Sequence, residues 1–71
     1  MNKETKIVLA VKGERAVYLF KREYEDFTEV EFVVGWTEGN PVVGDFVDGW
    51  SSGKYFRTLK DALDYLKNTK Y

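Results

Sequence analysis

The stretch Thr5–Lys21, TKIVLAVKGERAVYLFK, decides how this 71-residue chain folds. Thr5–Lys12 is a β-branched, apolar run between polar ends, which predicts a strand. Gly13-Glu14 follows, and a glycine at the first central position of a two-residue connection suits a type II′ hairpin. Ala16–Lys21 is then the returning strand. This register sets Lys12 opposite Arg15, Val11 opposite Ala16, Leu9 opposite Tyr18 and Ile7 opposite Phe20. Side chains alternate along a strand, so Ile7, Leu9, Val11, Tyr18 and Phe20 fall on one face, and Val8, Ala10, Val17 and Leu19 on the other. Both faces are apolar. One is expected to bury under a helix. The other then calls for a second cover, a bound partner or a second copy of the chain in an isologous homodimer.

Downstream, Glu23-Tyr24-Glu25-Asp26 reads as a polar turn, and Phe27–Thr37 as a third strand. Val30, Phe32, Val34 and Trp36 alternate with Glu29, Glu31, Val33 and Gly35, which predicts one core side and one mostly wet side. Glu38-Gly39-Asn40-Pro41 is a turn by composition. Val42–Val47 is expected to be a fourth, weaker strand, with Gly44 marking a bulge. Asp48–Gly53 reads as a loop, after which Lys54-Tyr55-Phe56 can close the sheet as a short fifth strand.

The last element is a helix. Thr58 fits the N-cap, Asp61 supplies a favourable charge in the first turn, and Lys67 and Lys70 suit the C-terminal end of the dipole. Leu59, Ala62, Leu63 and Leu66 lie at i, i+3, i+4 and i+7, one apolar stripe. Every connection is short and none requires a parallel crossover. The expectation is one α+β domain over residues 1–71: an antiparallel meander of four, at most five, strands with a C-terminal helix packed on one face. Ile7, Leu9, Val11, Tyr18, Phe20, Val30, Phe32, Val34, Phe46, Leu59, Leu63 and Leu66 form the expected core.

Composition limits the chemistry. The chain has no Cys and no His, so nucleophile–base pairs and imidazole or thiolate metal sites have no side chains to draw on. The glycines are scattered and none opens a helix, which leaves no phosphate loop. Asp45 and Asp48 lie close in sequence, but paired carboxylates need a cleft that shifts a pKa, and a single thin sheet offers little depth. The expectation is a non-enzyme with no metal or cofactor. No apolar run approaches a membrane span, and the polar start Met1-Asn2-Lys3-Glu4 does not read as a signal peptide. A cytoplasmic setting without membrane contact is expected.

The ending Trp50-Ser51-Ser52-Gly53-Lys54-Tyr55-Phe56, followed by Leu59, Ala62-Leu63 and Tyr65-Leu66, resembles the close of short uncharacterised phage and Firmicutes sheet-plus-helix proteins. The likeness covers roughly the C-terminal quarter, supplies no activity, and implies a phage-encoded setting. A nucleic-acid-associated WGR domain also ends in a helix after a small sheet. Here Gly35-Trp36-Thr37 stands in place of its defining Trp-Gly-Arg.

Charge supplies the functional clue. Net charge is −1, but it is unevenly spread. Residues 1–22 carry six basic and two acidic side chains, residues 23–48 eight acidic and no basic, and residues 49–71 five basic and two acidic. Acids of one sign blunt an exposed sheet and keep a small chain soluble. The sharper reading is a docking face for a basic protein surface, as in an inhibitor that imitates nucleic acid. Glu25, Asp26, Glu29, Glu31 and Glu38 would meet the partner's Lys and Arg, with Trp36 or Trp50 as aromatic anchor. The alternative is single-stranded nucleic-acid binding through Lys54, Arg57 and Lys60 with Tyr55 and Trp50. An acidic isoelectric point near 5.4 argues against a nucleic-acid partner.

Overall fold

The computed structural model describes residues 3–37, 39 and 42–68. Four strands, β1 (Lys3–Lys12), β2 (Arg15–Glu23), β3 (Thr28–Trp36) and β4 (Ser51–Phe56), precede one helix, α1 (Leu59–Asn68). The strands form one antiparallel sheet in the order β1-β2-β3-β4. This is the expected α+β architecture, a meander closed by a C-terminal helix.

The first hairpin turns where expected. Gly13 has φ 59°, while Glu14 keeps an ordinary negative φ, the pattern a type II′ connection requires. Lys12 faces Arg15, Val11 faces Ala16 and Ala10 faces Val17. The register then slips, so that Val8 rather than Leu9 faces Tyr18, and Ile7 faces Leu19 rather than Phe20. Leu9 is the extra residue of a β-bulge, which the alternation of the sequence does not reveal. One inserted residue exchanges the faces of everything beyond it. Val8 thereby joins Ala16, Tyr18 and Val33 in one buried cluster, while Leu9 and Ala10 both pack with Val17 and Val34 in another.

The two clusters lie on opposite faces, and each has its own cover. On one face α1 presents Ala62 and Leu66, which pack with Val17 and Val34, flanked by Phe32 and Phe56. The helix starts as expected, with the Asp61 N–H donating to Thr58 Oγ1 at 3.2 Å. It ends with Lys12 Nζ donating to the Lys67 carbonyl at 2.6 Å, a cation at the negative end of the dipole. The buried line is Ala62–Leu66; Leu59 and Leu63 sit at its margin and remain partly exposed, as do Val11 and Val30.

The opposite face is covered by the segment that joins β3 to β4. It leaves β3 beside the first hairpin, where the Thr37 N–H donates to the Glu14 carbonyl at 2.7 Å. It then reaches the free edge of β1. There the Val8 N–H donates to Asp45 O, Gly44 N–H to Val8 O and Val47 N–H to Lys6 O. Val47 and Trp50 turn inward from this strap onto Tyr18, Phe20 and Val33. Val42–Val47 is therefore not a strand of the meander: its one ladder contact is an isolated bridge between Phe46 and Ile7. Phe46, expected in the core, faces the solvent beyond the sheet edge at 77% exposure. The fourth strand is Ser51–Phe56, so β4 begins at Ser51, which pairs with Trp36, rather than at Lys54.

The face expected to await a second copy does not exist as a unit. Val8 is buried beneath the strap, Val17 beneath the helix, and Ala10 and Leu19 are largely covered on the helix side. The apolar pattern that called for a dimer is satisfied within one chain. The turn at residues 38–41 falls mostly outside the described residues, as does Lys70.

Candidate functional site

The β2–β3 turn is a short acidic knuckle. The Tyr24 N–H donates to the Phe27 carbonyl at 2.8 Å, closing Tyr24-Glu25-Asp26-Phe27 into a tight loop. The Tyr24 and Phe27 rings stack across it with centroids 4.6 Å apart. Glu25 and Asp26 stand exposed between them, and Phe27 leaves 55% of its surface in solvent. A rigid aromatic flanked by carboxylates loses little side-chain entropy on binding, which favours it as an anchor.

Glu29 and Glu31 lie next along β3 and are engaged within the chain. Glu29 faces Arg22 across the sheet, and the Arg22 guanidinium pairs with it at 2.9 Å. The same guanidinium bonds Glu31 and lies 4.9 Å from the centre of the Phe20 ring. Beyond the end of β4, Arg22, Glu29, Val30, Glu31 and Arg57 border one open groove. This part of the expected acidic face is a mixed-charge cluster, with two arginines beside two glutamates.

The remaining expected residues separate. Trp36 lies at the opposite end of β3, its ring covered by the Arg15 guanidinium at 4.4 Å. Trp50 is half-buried against the core, stacked on Tyr18 at 5.0 Å and edge-on to Phe20 at 5.4 Å. Glu38 lies outside the described residues. Tyr24 and Phe27 were not foreseen as site residues. The signal was the spacing itself, an aromatic on each side of two consecutive acids.

The alternative basic–aromatic cluster is dispersed. Lys54 Nζ sits 4.8 Å from the centre of the Tyr65 ring on the helix face. Tyr55 meets Trp50 on the strap face, Arg57 borders the mixed-charge groove, and Lys60 is exposed on α1. Among the described residues no group of three metal-ligating side chains converges, and no helix is long and apolar enough to cross a membrane. No protein-family model matches the chain, and no curated protein or solved structure is significantly similar to it.

Proposed function

We propose that this chain is a non-catalytic protein-binding module whose acidic knuckle docks on a basic surface of another protein. The observation that carries the reading is the exposed Phe27 ring, stacked on Tyr24 and bracketed by Glu25 and Asp26. The aromatic supplies buried area, and the two carboxylates supply attraction to Lys and Arg on the partner. Glu29 and Glu31 form a secondary rim, since Arg22 already engages both. Acting as an inhibitor, the module would occupy a basic surface that an anionic polymer otherwise holds, in a cytoplasmic, phage-associated setting.

The test is affinity capture with the wild type, Phe27→Ala and a Glu25→Lys/Asp26→Lys variant, compared quantitatively. A partner with a basic surface that is retained by the wild type, lost by both variants and released by moderate salt supports the reading. Capture that is indifferent to both variants, or salt-sensitive binding of single-stranded oligonucleotide abolished by Lys54→Glu and Arg57→Glu, overturns it.

A further inference from the structure

The end of the sheet remote from the knuckle holds a pocket of about 220 Å³ between β2, β3, β4 and α1, bordered among others by Arg15, Trp36, Ser52, Lys54 and Tyr65. Arg15 and Lys54 border it from separate strands, β2 and β4. Each cation rests on a ring, Arg15 on Trp36 at 4.4 Å and Lys54 on Tyr65 at 4.8 Å. Such contacts hold long side chains in place before a ligand arrives. Among the described residues, no carboxylate lies within ion-pair distance of either cation. Lys6, Lys21 and Arg22, by contrast, have acidic partners, and what sets Arg15 and Lys54 apart from the other cations without one is that both border the same pocket.

The rim of the pocket is also irregular. Val34 pairs with Lys54 and Trp36 with Ser51, so β4 spends two residues, Ser52 and Gly53, opposite Gly35 alone. Ser52 has φ 53°, the one non-glycine among the described residues with a left-handed backbone. A bulge leaves the extra residue's backbone groups outside the ladder, and strained residues of this kind cluster at binding sites. Here the strained residue is Ser52, which borders the same pocket.

We propose that this pocket binds a small phosphate monoester, its phosphate held between Arg15 and Lys54 and its organic part against Val34 and the aromatic walls. A guanidinium offers two oxygens a planar fork, and an ammonium adds a point charge. Together they match a dianion better than a carboxylate. The site is independent of the knuckle and stands whether or not the knuckle docks on a protein.

The experiment is an NMR titration of the full chain with inorganic phosphate, phenyl phosphate and acetate at matched ionic strength. The Trp36 indole N–H and the Ser52 and Lys54 amides are the reporters. The expected result is saturable shifts at these positions, tighter with phenyl phosphate than with inorganic phosphate and weakest with acetate. Arg15→Gln and Lys54→Gln should each weaken binding about tenfold, while Lys60→Gln leaves it unchanged. A Lys54→Gln chain with an unaltered amide spectrum serves as the test if Arg15→Gln perturbs the fold. Shifts that do not saturate, that spread over surface lysines generally, or that persist in a folded Lys54→Gln variant overturn the assignment. Saturation by an oligonucleotide with no response to either phosphate also overturns it.

Discussion

Gly53 is a glycine because Trp50 occupies the space a side chain would take. A Cβ there would lie 2.5 Å from the indole nitrogen and 2.8 Å from Val33, both inside van der Waals contact. Gly35 is pressed by the same side chain, though less severely, at 3.0 Å from the Trp50 Cβ and 3.1 Å from the ring. Gly53→Ala is therefore expected to destabilise the fold by about 1–3 kcal/mol through overpacking, measured as a lower midpoint in thermal or urea unfolding. Gly49, with open space around it, is the control and should tolerate alanine. At the same scale, Phe27→Ala should weaken partner binding by about 2 kcal/mol, roughly thirtyfold in Kd, without moving the melting temperature. Isothermal titration with the captured partner checks the first and a thermal melt of the free chain the second. None of the Trp50 contacts was legible in the sequence. An aromatic in a glycine- and serine-rich segment reads as an exposed anchor until one knows that the preceding strap folds beneath the sheet. Glu25 and Asp26 were legible as exposed acids because they sit in a short polar turn between two strands, where side chains face solvent. That Arg22 engages Glu29 and Glu31 was not legible, because it reaches them only through the β2–β3 register.

At the scale of elements, the helix shows how far periodicity reaches. Its start, cap and apolar stripe follow from Thr58, Asp61 and the leucine spacing, and the structure has them. Periodicity fixes a stripe's width but not which line of it meets the sheet most closely. Leu66 is 5% exposed and Leu63 39%, so Leu66→Ala should cost about 2–4 kcal/mol and Leu63→Ala clearly less, both read from denaturant midpoints. Thr58→Ala should cost about 1 kcal/mol by removing the cap. The first hairpin shows the complementary limit. Its turn was legible because Gly13 is needed at a positive φ, but the bulge at Leu9 leaves no mark when every neighbour is apolar. The fourth strand lies nine residues beyond the stretch that composition favours, Val42–Val47, for a related reason. Val42–Val47 carries three valines and a phenylalanine, whereas Ser51–Phe56 carries two serines and a glycine, poor strand formers whose presence is explained by the bulge and by Trp50.

Seen as a whole, the molecule is polar along its strands. The acidic knuckle stands at one end of β2 and the Arg15–Lys54 pocket at the other, separated by roughly 30 Å of extended chain. Exposed charges interact over about 8–10 Å at ordinary salt, so the two ends act separately. Raising the salt concentration should slow association at the knuckle with little change in dissociation, and a stopped-flow series in salt measures this. The overall layout was legible because hairpins and a terminal helix leave few topologies open; the second cover was not, because it is built from a segment without regular structure. That strap has a kinetic consequence. The turns at residues 13–14 and 24–27 close short loops, whereas residues 37–50 must travel from β3 to the far edge of β1 and return. Longer closures cost more entropy before any contact repays it, so the first three strands should assemble before Val47 and Trp50 seat themselves. Val47→Ala should accordingly leave the refolding rate near that of the parent and accelerate unfolding, visible as a shift of only the unfolding arm in a chevron plot. The lifetime of the native state is then set by a latch that closes last and opens first.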